Sequence, residues 1–128
     1  MENIIIIGAG PAGISAALYA ARGNMDPLII NTGIGSLEKA EKIENYYGLE
    51  LFERGLAQAR ALGVRILDAQ VVGMGGFDTF EVKTTAGDFE TRSVILATGS
   101  RRASARIPGV KEFEGKGVSY CAICDAFF

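Results

Sequence analysis

The sequence predicts an α/β fold of three layers, in which a parallel sheet carries helices and a β-meander. Three observations predict it. Four isoleucines, Ile4 to Ile7, run straight into glycines at Gly8, Gly10 and Gly13 and then into an alanine-rich stretch. A second apolar run, Leu28-Ile29-Ile30, follows closely. From Val71 onward the pattern is β throughout, up to a third apolar run at Val94-Ile95-Leu96.

Four β-branched residues in succession suit a strand buried on both faces, as in a parallel sheet. The glycines that follow have G-x-G-x-x-G spacing, and the order strand, glycines, helix gives that spacing a mechanism. Gly8 allows a tight turn, and Gly10 lets the backbone approach a pyrophosphate. Gly13 lets helix and strand pack closely, while the N–H groups at the helix start face the negative charge. Pro11 suits the first helical turn, where its missing N–H costs nothing, and Ala12 completes the motif. A glycine-rich turn without a ligand is the alternative.

The helix expected over Ile14 to Arg22 places Ile14, Ala17, Leu18 and Ala21 on one face. Gly23-Asn24 ends it with a residue tolerant of the left-handed conformation. Pro27 then precedes the second strand, so Ile4 to Ile30 reads as a β-α-β unit of Rossmann-like type. In dinucleotide folds an acidic residue closes that second strand and binds the adenosine ribose. Here the place holds Asn31, followed by Thr32. A neutral amide still hydrogen-bonds ribose hydroxyls and does not repel a 2′-phosphate. The motif alone therefore leaves nicotinamide and flavin dinucleotides both open.

Residues 33–48 read as an irregular connection that includes Ile43-Glu44-Asn45-Tyr46-Tyr47-Gly48. Long loops tend to be functional; aromatics packed on the core are the other reading. Residues 49–62 have helical spacing at Leu51, Phe52, Leu56, Ala59 and Leu62, and Gly63 stops the helix. Val64 to Leu67 alternates as a third strand. Phe80 to Thr85 and Phe89 to Thr91 flank Ala86-Gly87-Asp88 as a hairpin, giving a small antiparallel meander. Val94 to Leu96 is a further buried strand whose small residues Ala97, Thr98 and Gly99 sit at the edge where α/β sheets bind ligands. A plain strand and turn is the alternative there. Residues 101–117 read as a polar, loop-like linker with a turn at Pro108-Gly109.

Composition narrows the function. The chain has 128 residues, 48% hydrophobic and 22% charged, with a net charge of −2. That suits one soluble globular domain and gives no basic face for nucleic acid. No apolar run approaches the roughly 20 residues that cross a bilayer, and the start is not a signal peptide, so a cytoplasmic protein is expected. There is no histidine, which removes histidine nucleophile pairs, bases and metal ligands. Chemistry must come from a cofactor, the two cysteines or carboxylates. Both cysteines lie in Cys121-Ala122-Ile123-Cys124-Asp125. A zinc knuckle needs four ligands, and no second pair exists. Two unrelated buried thiols or a dithiol that exchanges electrons remain. Asp125 could carry a proton for such a pair or cap a helix.

Taken together, Gly8 to Gly13, Ile43 to Gly48, Ala97-Thr98-Gly99 and Gly117 to Asp125 carry a resemblance. The chain resembles the N-terminal part of the low-molecular-weight thioredoxin reductases, flavoproteins with two dinucleotide-binding domains, from Ile4 to its end. The resemblance implies FAD, with its pyrophosphate at Gly10 to Gly13 and Asn31 and Thr32 near the adenosine ribose. It implies Val71 by the adenine, Leu37 and Asn45 by the flavin end, and Ala97, Thr98 and Gly99 along the strand edge. It makes Cys124 the flavin-facing sulfur, Cys121 the exchanging one and Asp125 the general acid. It implies a thioredoxin-like protein partner and a homodimer, with no nucleic acid or membrane. Residues 1–117 correspond to part of the FAD domain, and 118–128 to the start of the redox-disulfide and pyridine-nucleotide domain.

Two departures matter. Family members usually carry Gly-Gly-Gln-Leu where this chain has Ile34-Gly35-Ser36-Leu37, a motif that some ferredoxin-dependent relatives also lack. The electron donor is thus NADPH or reduced ferredoxin. Relatives are more than twice as long, so a truncated fragment without turnover is expected, prone to associate through exposed apolar surface. Two other classes remain alongside this one. They are the flavoprotein reductase of a peroxide-scavenging system and a binding module without catalysis.

Overall fold

The computed structural model describes residues 1–33, 51–100 and 105–120. The described residues form a mixed sheet of six strands. These are β1 (Glu2–Ile7), β2 (Pro27–Asn31), β3 (Arg65–Asp68), β4 (Val71–Gly76), β5 (Phe80–Thr84) and β6 (Gly87–Leu96). Helices α1 (Pro11–Arg22) and α2 (Leu51–Ala61) follow β1 and precede β3, and α3 (Val110–Phe113) is a single turn near the end. The strand order is β3-β2-β1-β6-β5-β4. β3, β2, β1 and β6 run parallel, whereas β6, β5 and β4 pair antiparallel.

The isoleucine run explains the layering. Side chains alternate across a strand, so Ile4 and Ile6 join Ile29 against Ile14, Ala17 and Ala20 of α1 and Ala59 of α2. Ile5 and Ile7 join Leu28 and Ile30 on the other face, packing with Ala69 and Val82 and with Val71 and Phe89 of the meander. Helices, parallel sheet and meander are the three layers the sequence predicts. The α2 helix accommodates Gly55 in its middle for the same reason. A Cβ there would stand 3.2 Å from Ile14 Cδ1, so the bare backbone lets α2 lie close on α1.

The helix limits follow local chemistry. Pro11 occupies the first turn of α1, and Ile14 N–H donates to Gly10 O at 2.9 Å. At the other end Gly23 N–H donates to Tyr19 O, and Asn24 takes the left-handed conformation at φ 55°.

Three elements differ from their sequence reading. The stretch from Phe89 and the run at Val94 are one continuous strand, β6, that pairs with β5 through its first half and with β1 through its second. The hairpin turn is Thr85-Ala86, one position earlier than read, because Gly87 already pairs with Thr84. β6 also ends exposed rather than buried: Leu96 is 65% exposed, since no β5 partner stands beside that end. Finally, 101–117 is not wholly loop. Val110, only 6% exposed, anchors the helical turn of α3 within a polar sequence.

Candidate functional site

The carboxyl ends of β1, β2 and β6 meet at one edge, where open α/β sheets bind ligands. The glycine turn starts there. Gly8 N–H donates to Ile30 O at 2.8 Å, which ties the turn to β2. Gly8 has φ 110°, and a Cβ on it would stand 2.2 Å from Ala97 O, so only glycine fits. A Cβ on Gly13 would stand 1.9 Å from Gly8 O. Helix α1 therefore presses against the turn. Gly10 contrasts with both, since a Cβ there would find nothing within 4 Å. Its backbone faces open space beside the first turn of α1, whose leading N–H groups have no intrahelical partner. This is the arrangement a pyrophosphate needs, with bare backbone, room to approach and a helix N-terminus. The tight turn at Gly8 and the close helix packing at Gly13 match the roles read for them from the spacing.

Ala97 is the structural counterpart of these glycines. Its N–H donates to Ile7 O at 2.8 Å, and its methyl lies 3.3 Å from where a Gly13 Cβ would stand. A larger side chain at 97 would push on the helix. Thr98 follows at the surface, and Gly99 turns the chain away at φ 68°. Asn31 closes β2, half-buried, with Oδ1 accepting from Ala9 N–H at 3.4 Å.

A mostly apolar cavity of about 380 Å³ lies at the same edge on the meander side. Its wall joins Thr32, Val71 and Thr98 with Ile7 and Ile30. That volume is in the range of small-ligand pockets. The glycine turn itself is outside the cavity wall. Gln70, Met74 and Leu96 also line it and were missed in the sequence. Leu96 lines it because it lies level with Ile7, its partner across β1 and β6, a pairing that local sequence does not show.

The structure thus brings Gly8, Gly10, Pro11, Ala12, Gly13, Asn31, Thr32, Val71, Ala97, Thr98 and Gly99 to one end of the sheet. Leu37, Asn45, Cys121, Cys124 and Asp125 lie outside the described residues. Among the described residues no cluster of metal-binding side chains occurs, and no helix is long and apolar enough to cross a membrane.

The profile of the family described as Pyridine nucleotide-disulphide oxidoreductase matches residues 2–128. A thioredoxin reductase of Treponema pallidum is 41% identical over 98% of this chain and 44% of its own length. The crystal structure of thioredoxin reductase from Streptococcus pyogenes superposes with a TM-score of 0.86 at 38% identity, covering all of this chain and 45% of that one. A ferredoxin-flavin thioredoxin reductase from Clostridium acetobutylicum matches with a TM-score of 0.68 at 31% identity, over 97% of this chain and 46% of its own. The chain therefore spans less than half the length of these relatives.

Proposed function

Because the chain belongs to the pyridine nucleotide-disulphide oxidoreductase family, we propose that it is the flavin-holding and dithiol-bearing portion of a thioredoxin reductase. The observation that carries the flavin part is the open backbone at Gly10 between two positions, Gly8 and Gly13, that are closed to any side chain. The pyrophosphate of FAD would lie along Gly10, Pro11, Ala12 and Gly13. Asn31 and Thr32 would meet the adenosine ribose, and the cavity at Val71 would take the adenine. Thr98 and Gly99 would border the cofactor at the end of β6, with Leu37 and Asn45 toward the flavin.

When bound, FAD would supply two electrons, drawn from NADPH or reduced ferredoxin. Ser36, in place of the family's usual glutamine, keeps the ferredoxin donor in play. The Cys121–Cys124 disulfide would accept the two electrons, take up two protons from solvent and open to a dithiol. The Cys121 thiolate then attacks the disulfide of a thioredoxin-like protein, forming a mixed disulfide. The Cys124 thiolate displaces it, which restores the pair and leaves the partner reduced. Asp125 supplies the proton that the departing thiolate takes up. The enzyme is proposed to work in the cytoplasm as a homodimer. Domain division after Gly117 belongs to the same reading.

The test uses the full-length protein. It should carry flavin absorbance and reduce a thioredoxin disulfide with one of the two donors. Cys124→Ser should stop oxidation of reduced flavin by the pair. Cys121→Ser should leave a thiol beside the flavin and abolish reduction of the partner. Absence of flavin, or unmodified rates in both variants, would overturn the reading.

A further inference from the structure

Asn31 is held from two directions. Its backbone carbonyl accepts from Ala69 N–H at 2.9 Å, and its side-chain Oδ1 accepts from Ala9 N–H at 3.4 Å. Ala9 stands between Gly8 and Gly10 in the turn and is 1% exposed. Its N–H therefore has little access to water. A buried N–H stripped of its acceptor costs the desolvation it can no longer recover. Only the oxygen of an amide accepts from an N–H, so this contact also sets which way the Asn31 amide is turned. The bond spans 22 residues of sequence and joins the end of β2 to the middle of the glycine turn.

We propose that Asn31 is a positioning residue for the glycine turn, holding the Ala9 peptide so that the backbone at Gly10 and the start of α1 are aimed before a dinucleotide arrives. The ligand half of this inference rests on the flavin reading above; the hold on the turn does not. The acceptor oxygen is the feature that matters, not the amide. Asn31→Asp keeps an oxygen in reach of Ala9 N–H. Asn31→Leu has a similar shape and offers none.

The experiment compares full-length protein and these two variants. It reads amide hydrogen exchange at Ala9 without ligand, FAD affinity by quenching of flavin fluorescence, and the urea midpoint. Asn31→Leu should exchange Ala9 about tenfold faster and bind FAD about tenfold more weakly. Asn31→Asp should stay within about threefold of the parent in both. Asn31→Ala stands in for the leucine variant if that one does not fold, with the same expectations. Unchanged Ala9 exchange in the variant without an acceptor overturns the proposal. So does faster exchange with unchanged FAD affinity, or an aspartate variant as impaired as the leucine one. If the parent binds no FAD, the flavin reading fails, and Ala9 exchange in the same variants still decides whether Asn31 holds the turn.

Discussion

The three glycines of the turn make different demands, and substitution separates them. Gly13→Ala would drive a methyl to 1.9 Å from Gly8 O, a backbone atom that cannot step aside. Unfolding in urea should show a loss of about 3 kcal/mol or more, at the upper end of overpacking costs. Gly10→Ala meets no atom, and its φ of −70° suits any residue. Its stability should stay within about 0.5 kcal/mol of the parent, since reduced freedom of the unfolded chain offsets a poorer helix cap. Its FAD affinity should fall, because the methyl fills the space proposed for the pyrophosphate. Equal effects of the two changes on stability would contradict the division of roles. The tight fit at Gly8 and Gly13 was legible in the sequence because the motif is local, with strand, turn and helix contiguous. The contact of Asn31 with Ala9, and the place of Leu96 in the cavity wall, were not legible, because both depend on which strands lie side by side.

At the scale of elements, β6 does two jobs, and Thr91 is where they change over. It pairs with Phe80 of β5 on one side and with Glu2 of β1 on the other. It is fully buried, and its hydroxyl donates to Ser93 O at 3.0 Å. The sequence reading divided this strand at the polar pair Arg92-Ser93, where the apolar pattern lapses. The lapse is physical. Ser93 spends its hydroxyl on Asn3 O at 3.0 Å, so a polar residue sits in the sheet without losing its hydrogen bond. Burial of both faces was legible for β1 and β2 because their apolar runs are unbroken, but β6 shows no such run across its whole length. Thr91→Val keeps the shape and removes the donor. A loss of about 1 kcal/mol in urea unfolding is expected, the net worth of one such bond. No loss would mean that strand pairing alone carries the changeover.

Across the whole molecule, the two ends of the parallel sheet have separate work. The carboxyl ends hold the glycine turn and the cavity. At the amino ends, Arg65 of β3 reaches over β2 to grip both carboxylate oxygens of Glu2, one at 3.2 Å, and meets Asp26 at 3.3 Å. The sequence could not disclose this clasp, since Glu2 and Arg65 are 63 positions apart and become neighbours only through the strand order. Hydrogen bonding from Arg65 lowers the Glu2 carboxyl below its ordinary value of 4.5, against a smaller opposing effect of burial. A lowered folded value means that Glu2 stabilises the fold above its unfolded value and loses that contribution as pH falls through the folded one. Both partners are partly exposed, so the contribution is small. Glu2→Gln should cost about 0.5–1 kcal/mol at neutral pH, and the gap from the parent should shrink as the pH falls below 4.5. A gap that persisted or widened in acid would show that the charge is not its source. Glu2 opens β1 and Gly10 lies in the turn beyond its other end, the strand itself spanning about 17 Å from Glu2 to Ile7. Effects at that separation, with no shared partner, add. The double variant Glu2→Gln, Gly10→Ala should therefore show the stability of the first change and the FAD affinity of the second, each within about 0.5 kcal/mol of the single-variant sum. A larger deviation would mean that the amino-end clasp strains or relaxes the glycine turn through β1, and that the two ends work as one device.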